Sequence, residues 1–233
     1  MHLVIGLGET GGPLYEVLCD KFGEENVSGH DPVKGVMYES EFQPPVDFMH
    51  ICIPYSDRFV KIVQGCKEMF RAKHVIIHST VPIGTTRQIK GAVHSPILGR
   101  HNRMKEDLLA YPKYVGGNDR AMDIFNEMIK IFEVISCATP EQTELMKLMC
   151  LAKYGVHLAF QAYQKDICKE YDISYESIVI WDELYNRHVG EDLQRPIFRE
   201  LNLPIGGHCV IPNTKILNEQ HPNPMLDEVL KRG

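Results

Sequence analysis

The feature that most constrains the fold stands at the start of the chain. A short apolar run, 2–5, ends in Gly6-Leu7-Gly8-Glu9-Thr10-Gly11, and Gly12-Pro13 then open an amphipathic helical pattern at Leu14, Val17 and Leu18. A strand that turns through glycines at this spacing into a helix has a specific use. The first glycine makes the tight turn, the second lets the backbone approach a pyrophosphate, and the third lets helix and strand pack closely. The helix N-terminus then faces the anion. Gly6, Leu7, Gly8, Glu9, Thr10 and Gly11 are therefore expected to hold a dinucleotide.

The same arrangement calls for a carboxylate at the end of the second strand. Val27-Ser28-Gly29-His30-Asp31 supplies Asp31, 20 residues beyond Gly11. A carboxylate there accepts hydrogen bonds from a ribose and repels a 2′-phosphate, which favours NAD over NADP. Two alternatives stay open: Asp31 merely starts a turn with Pro32, or the glycine turn serves an S-adenosylmethionine-dependent methyltransferase.

Beyond the turn, β-rich runs recur at 48–53, 74–78, 91–94, 114–116 and 133–136, with a weak signal for a second strand around 24–27. Helical patterns such as Phe59, Ile62, Val63 and Cys66 lie between several of them. Strand and helix in alternation predict an α/β fold with a doubly wound, Rossmann-type parallel sheet. The pattern changes at Thr139-Pro140-Glu141-Gln142, a helix start with Thr as cap and Pro at the first helical position. The next stretch, to 171, contains no Gly or Pro except Gly155. It predicts one long helix leading into a small all-helical domain, with a further helix over 174–186, mostly loop over 196–212, and short closing helices at 213–218 and 223–232. The expected division is a dinucleotide-binding domain, 1–138, and a helical dimerisation and substrate domain, 139–233.

Composition removes several classes. Net charge is −6, from 25 basic and 31 acidic residues without a basic run, so no nucleic-acid partner is expected. No apolar stretch approaches the roughly 18–20 residues of a membrane span, and Met1 leads straight into the first strand, so no leader peptide is expected. Seven scattered cysteines without a CxxC pair fit a reduced, cytoplasmic protein.

Later segments narrow the chemistry. His78-Ser79-Thr80-Val81-Pro82-Ile83-Gly84-Thr85-Thr86, Val93-His94-Ser95-Pro96, Tyr114-Val115-Gly116-Gly117, Thr143-Glu144-Leu145-Met146-Lys147-Leu148 and Gly206-Gly207-His208-Cys209 follow one another in the order found in the UDP-glucose and UDP-N-acetylmannosamine dehydrogenases. The chain resembles that nucleotide-sugar dehydrogenase family from residue 1 to about 215. The resemblance implies oxidation of an alcohol through aldehyde to acid with two NAD. Cys209 would be the thiol that captures the aldehyde and passes through a thioester, with His208 beside it. Lys147 would stabilise charge developing on the reacting hydroxyl. Pro54 joins the cofactor-binding set, and Thr80 would line the nicotinamide side.

The departures matter equally. Leu151 stands where the family has an asparagine one turn after the lysine, and Ile97 stands where it has a glutamate. One extra residue separates Cys209 from Pro212, and the family's second α/β domain does not follow. These changes favour a different, smaller substrate, or half a site completed by a second chain, and one hydride transfer over two; they also leave room for an NAD(H)-binding sensor or accessory subunit without turnover. His94, Arg100 and His101, with Arg103, cluster after the fifth strand, at the carboxyl edge where substrate is expected. His94, His101, His208 and Cys209 have zinc-ligating side chains without zinc-ligand spacing, so no metal is expected. The apolar face of the long helix, with Tyr154, Phe160 and Tyr163, points to homodimerisation through the helical domain.

Overall fold

The computed structural model describes residues 1–31, 33, 36–38, 44–117, 121–198, 205 and 209–233. It divides into two compact units, Met1–Lys147 and Leu148–Gly233.

In the first unit, β1 (His2–Ile5) turns into α1 (Gly11–Phe22). There follow β2 (Val27–Asp31), β3 (Val36–Tyr38), β4 (Phe48–Ile51), α2 (Phe59–Met69), β5 (His74–Ile77) and β6 (Ala92–His94). Then come α3 (Met104–Ala110), β7 (Lys113–Gly116), α4 (Ala121–Met128), β8 (Val134–Cys137) and α5 (Pro140–Glu170), which carries the chain into the second unit. The strands form one sheet in the order β3-β2-β1-β4-β5-β6-β7-β8. The chain winds outward from β1 to β2 and then returns to β4 on the other side, which makes the carboxyl ends of β1 and β4 the switch point where such sheets bind ligands.

The sheet is doubly wound, as the alternation predicts, but it is not wholly parallel. β3 pairs antiparallel with β2, and β7 antiparallel with β6. Apolar runs carry no strand direction, and the connection after β6 turns back through α3, which packs on α1. Successive side chains alternate between faces. Val4, Ile76, Val93 and Val115 pack with Leu14, Leu18, Leu108 and Ile124 of α1, α3 and α4. Leu3, Ile5, Met49, Ile51, Val75 and Ile77 pack with Phe59 and Val63 of α2 on the other face.

Register aligns the functional edge. The amides of Gly6, Cys52, His78 and Ser95, each just past a strand, bond to His30, Ile5, Ile51 and Ile77 on the neighbouring strands. The α5 start is capped reciprocally: Thr139 Oγ1 accepts from the Gln142 amide at 3.3 Å, and Gln142 Oε1 accepts from the Ala138 amide at 3.2 Å.

The described residues of the second unit are helical: the remainder of α5, α6 (Glu176–Asn186), α7 (Val210–Gln220) and α8 (Pro224–Arg232), with a 3₁₀ turn at Glu191–Leu193. Gly155 is a packing glycine, because a Cβ there would sit 2.9 Å from Val229 and 3.0 Å from Val210. α7 begins at Val210, within the stretch expected to be loop; Pro212 lies in its first turn, where a missing N–H costs no intrahelical bond. Among the described residues no helix is long and apolar enough to cross a membrane.

Candidate functional site

The three glycines of the turn owe their identity to different causes. Gly6 has φ +88°, and a Cβ there would lie 2.8 Å from the Cys52 carbonyl oxygen. A Cβ on Gly11 would overlap the Gly6 carbonyl. Gly8 has neither constraint: its φ is ordinary and nothing lies within 4 Å of where a Cβ would stand. The protein's own packing explains Gly6 and Gly11 and leaves Gly8 unexplained. A pyrophosphate approaching the backbone there would explain it, so the residues present fit the diphosphate of a dinucleotide.

The α1 N-terminus behind the turn carries no acidic residue in its first turn and no side-chain cap; the Gly12 amide bonds back to the Gly8 carbonyl at 2.9 Å, and the helix dipole favours an anion there. Asp31 ends β2 beside it, 7% exposed. Its Oδ2 accepts from the Leu7 amide at 2.9 Å and its Oδ1 from the Val33 amide at 3.1 Å. The carboxylate is thus tied to the glycine turn itself. Pro32, the other half of the turn reading, lies outside the described residues. Glu9 is exposed and pairs with His101 Nδ1 at 2.8 Å, which brings the segment after β6 across to the glycine turn.

Pro54 is exposed past β4, and Thr80 is half-buried past β5. Ser79 Oγ donates to the Ile53 carbonyl at 2.6 Å, joining the two strand ends. The Thr-Val-Pro segment has a partner that sequence did not suggest. Glu144 of α5 is fully buried, and its carboxylate accepts from the amides of Gly84 at 2.6 Å and Thr86 at 2.8 Å. Burial raises its pKa, and the hydrogen bonds from the loop oppose that shift. The motif's backbone wraps a carboxylate, and this fixes α5, one turn before Lys147, against the end of β5.

At the end of β6, two lysines hold consecutive carbonyls. Lys147 Nζ donates to the Ile97 carbonyl at 2.8 Å. Lys113 Nζ donates to the carbonyls of Ser95 at 2.9 Å and Pro96 at 3.0 Å. Lys113 is 2% exposed, and burial first, with repulsion from Lys147, lowers its pKa to about 7. Ser95 is fully buried, and its hydroxyl has no partner among the described residues. The Ile97 side chain packs in the core.

Two of the expected substrate residues are committed elsewhere. His94 is fully buried. Its Nε2 donates to the Ser79 carbonyl at 3.1 Å, and its Nδ1 accepts from Thr143 Oγ1 at 2.8 Å. Burial lowers its pKa to about 3, so it joins β6 to α5 as a neutral ring instead of serving as an open base. Arg100 makes a two-pronged pair with Asp107, Nε to Oδ2 and Nη2 to Oδ1, both 2.9 Å, which closes the loop before α3 and occupies the expected carboxylate clamp. His101 is the exposed member, paired with Glu9 as above.

On the second unit, Cys209 stands half-buried at the position that caps α7, where helix amides favour negative charge. Gly206, Gly207 and His208 lie outside the described residues. None of the seven cysteines forms a disulfide.

No protein-family model matches the chain, and no curated protein matches it in sequence. In fold it is similar to several solved structures. With the UDP-D-ManNAc dehydrogenase of Pyrococcus horikoshii the TM-score is 0.78 at 17% identity, covering 99% of this chain and 68% of that one. With the UDP-N-acetylmannosamine dehydrogenase of Staphylococcus aureus the TM-score is 0.73 at 17% identity, covering 99% and 66%. With the 3-hydroxyisobutyrate dehydrogenase of Mycobacterium tuberculosis it is 0.69 at 13% identity, covering 99% and 91%. The chain thus spans about two thirds of the two nucleotide-sugar enzymes. At these identities the likeness is one of fold.

Proposed function

We propose that this protein is an NAD-dependent oxidoreductase acting on an alcohol (CH–OH) group. The observation that carries the proposal is the open space over Gly8, between two glycines whose surroundings are full. Asp31, tied to the same turn, supplies a ribose acceptor and disfavours a 2′-phosphate, which selects NAD. When bound, the cofactor would accept the hydride. The names of the fold neighbours, dehydrogenases of nucleotide sugars and of a hydroxy acid, support this reaction class.

This chain's residues supply the rest. Lys147 places positive charge at the end of β6, where it stabilises an alkoxide developing on the substrate hydroxyl. Cys209 is the candidate thiol for a second oxidation. Ile97, packed in the core, and Leu151 stand where the resemblance implies a glutamate and an asparagine and leave no polar side chain there to orient water, which favours one hydride transfer over two. Seven cysteines without a disulfide fit a reducing compartment, the cytoplasm. The helical unit is assigned to homodimerisation. Phe160, Tyr171 and Trp181 are 59%, 66% and 72% exposed, and Phe160 lines an apolar groove of about 990 Å³ with residues such as Val156, Tyr163, Val179 and Met225.

The test is NADH formation from NAD⁺ with a panel of simple alcohols, hydroxy acids and sugar nucleotides. Lys147→Ala is expected to lower turnover about 100-fold or more with NADH affinity unchanged. Cys209→Ser is expected to spare the first oxidation. The same burial of Ile97 favours a second reading, an NAD(H)-binding sensor or accessory subunit; NADH binding with no turnover across the panel would select it.

A further inference from the structure

A row of titratable side chains crosses the sheet on the face covered by α1 and α4. Glu127 Oε1 of α4 faces His2 Nε2 at 3.2 Å. His2 Nδ1 faces His50 Nε2 at 3.1 Å, and His50 Nδ1 faces His78 Nε2 at 3.0 Å. His78 Nδ1 meets the Ser95 carbonyl at 2.6 Å and Lys113 Nζ at 3.4 Å. Strand register builds this row. His50 is level with Val4, two residues beyond His2, and His78 lies two residues past Ile76, which is level with His50. Each step therefore moves one strand across and two residues up, always on the same face. The row climbs from the N-terminal edge of the sheet, where Glu127 is partly exposed, to the carboxyl edge, where Lys113 holds the Ser95–Pro96 carbonyls.

Hydrogen-bond chemistry fixes its direction. The Ser95 carbonyl can only accept, so His78 carries its proton on Nδ1 and presents a bare Nε2. That bare nitrogen requires Nδ1–H on His50, which in turn requires Nδ1–H on His2. The bare Nε2 of His2 faces Glu127, and a proton must lie between them for a bond to form. Three imidazoles bonded in series between two ionisable ends do not converge on a point as metal ligands do; they form a wire.

We propose that Glu127, His2, His50, His78 and Lys113 are a proton relay that connects the carboxyl edge of the sheet to solvent at its N-terminal edge. In one passage, Glu127 gives its carboxyl proton to His2 Nε2, and His2 gives its Nδ1 proton to His50 Nε2. His50 then gives its Nδ1 proton to His78 Nε2, and His78 gives its Nδ1 proton to the neutral amine of Lys113. Glu127 ends as a carboxylate, the histidines carry their protons on Nε2, and Lys113 is an ammonium. The reverse passage exports one proton. Its use rests on the oxidoreductase reading: removing hydride from an alcohol releases one proton at the carboxyl edge, and the relay takes it away without opening that edge to water.

The charges around the row suit this task. At the outer end lie the N-terminal amine with Asp47 at 2.9 Å, and Lys130 on Glu127 Oε2 at 2.6 Å. Phe22 stacks on His2 at 4.4 Å and Phe48 at 5.1 Å, keeping water off the ring. At the inner end, Cys52, His94 and Lys147 influence His78 or Lys113. Burial keeps the three histidines neutral at neutral pH and sets Lys113 near it, so the inner end does not trap the proton.

The test needs neither cofactor nor substrate, so it fails or succeeds independently of the oxidoreductase reading. In ¹⁵N-histidine-labelled full-length protein, long-range ¹H–¹⁵N correlation is expected to find Nδ1–H, with bare Nε2, on His2, His50 and His78. In D₂O their Nδ1 protons are expected to exchange at least tenfold faster than the β1, β4 and β5 amides beside them. Glu127→Gln keeps a donor for His2 but cannot pass a proton on. It is expected to slow imidazole exchange at least tenfold and leave the amides unchanged. Any of the three rings in the opposite tautomer, imidazole exchange no faster than the amides, or a rate insensitive to Glu127→Gln would overturn the relay.

Discussion

Substituting alanine at each glycine of the turn separates packing from binding. At Gly11 the added methyl collides with the Gly6 carbonyl, so the strand–helix junction must open; a loss of about 3 kcal/mol or more is expected. At Gly6, φ +88° costs roughly 1–2 kcal/mol for a residue with a Cβ, and the 2.8 Å approach to Cys52 adds to it. At Gly8 the methyl meets nothing within 4 Å, so stability should change by less than about 0.5 kcal/mol. If a pyrophosphate lies against that backbone, however, the methyl takes its place, and NADH affinity should fall at least tenfold, about 1.4 kcal/mol. Thermal unfolding and NADH fluorescence titration of Gly8→Ala measure the two effects on one sample. A variant that binds NADH as tightly as the parent would refute the reasoning, because Gly8 would then be glycine for no reason the ligand supplies.

Three further outcomes are expected. His2, His50, His78 and His94 are buried and held below their ordinary value of 6.5, His2 at about 4 and His94 at about 3. The unfolded chain therefore binds more protons below pH 6.5, and stability falls as pH drops, by roughly 3 kcal/mol in all at pH 6 relative to pH 8. Lys113, lowered from 10.5 to about 7, has the same sign between those two values, so Tm should climb from pH 5 to pH 9; a Tm highest at pH 5 would contradict this. Glu144→Ala strands the Gly84 and Thr86 amides and should cost about 2–4 kcal/mol in urea unfolding, against less for Glu144→Gln, which keeps an acceptor. Sedimentation should find a dimer that Phe160→Glu with Trp181→Glu converts to monomer; a parent already monomeric at micromolar concentration removes the dimer.

Much of the sheet was legible because buried strands read as apolar runs and the glycine turn fixes where the first begins. Strand direction was not, since β7 looks the same run forwards or backwards. The start of α7 was hidden by Pro212, which is read as a breaker yet fits a first helical turn. Within the site, the glycine turn and Asp31 are local signals 20 residues apart and could be seen. Glu144 could not: it looks like a solvated helix residue until its distant amide partners are folded against it. The same holds for Arg100, whose partner Asp107 lies seven residues on, and for Lys113. His2 and His50 stand in separate strands and His78 just past a third, and only the register makes them one row.

The central claim is that this turn binds NAD. Calorimetric titration of the full-length protein with NADH, NADPH and S-adenosylmethionine tests it most directly. The account predicts binding of NADH, with NADPH at least tenfold weaker, S-adenosylmethionine absent, and NADH affinity falling sharply in Asp31→Ala. Folded protein that binds neither reduced cofactor, or binds S-adenosylmethionine in their place, would contradict it.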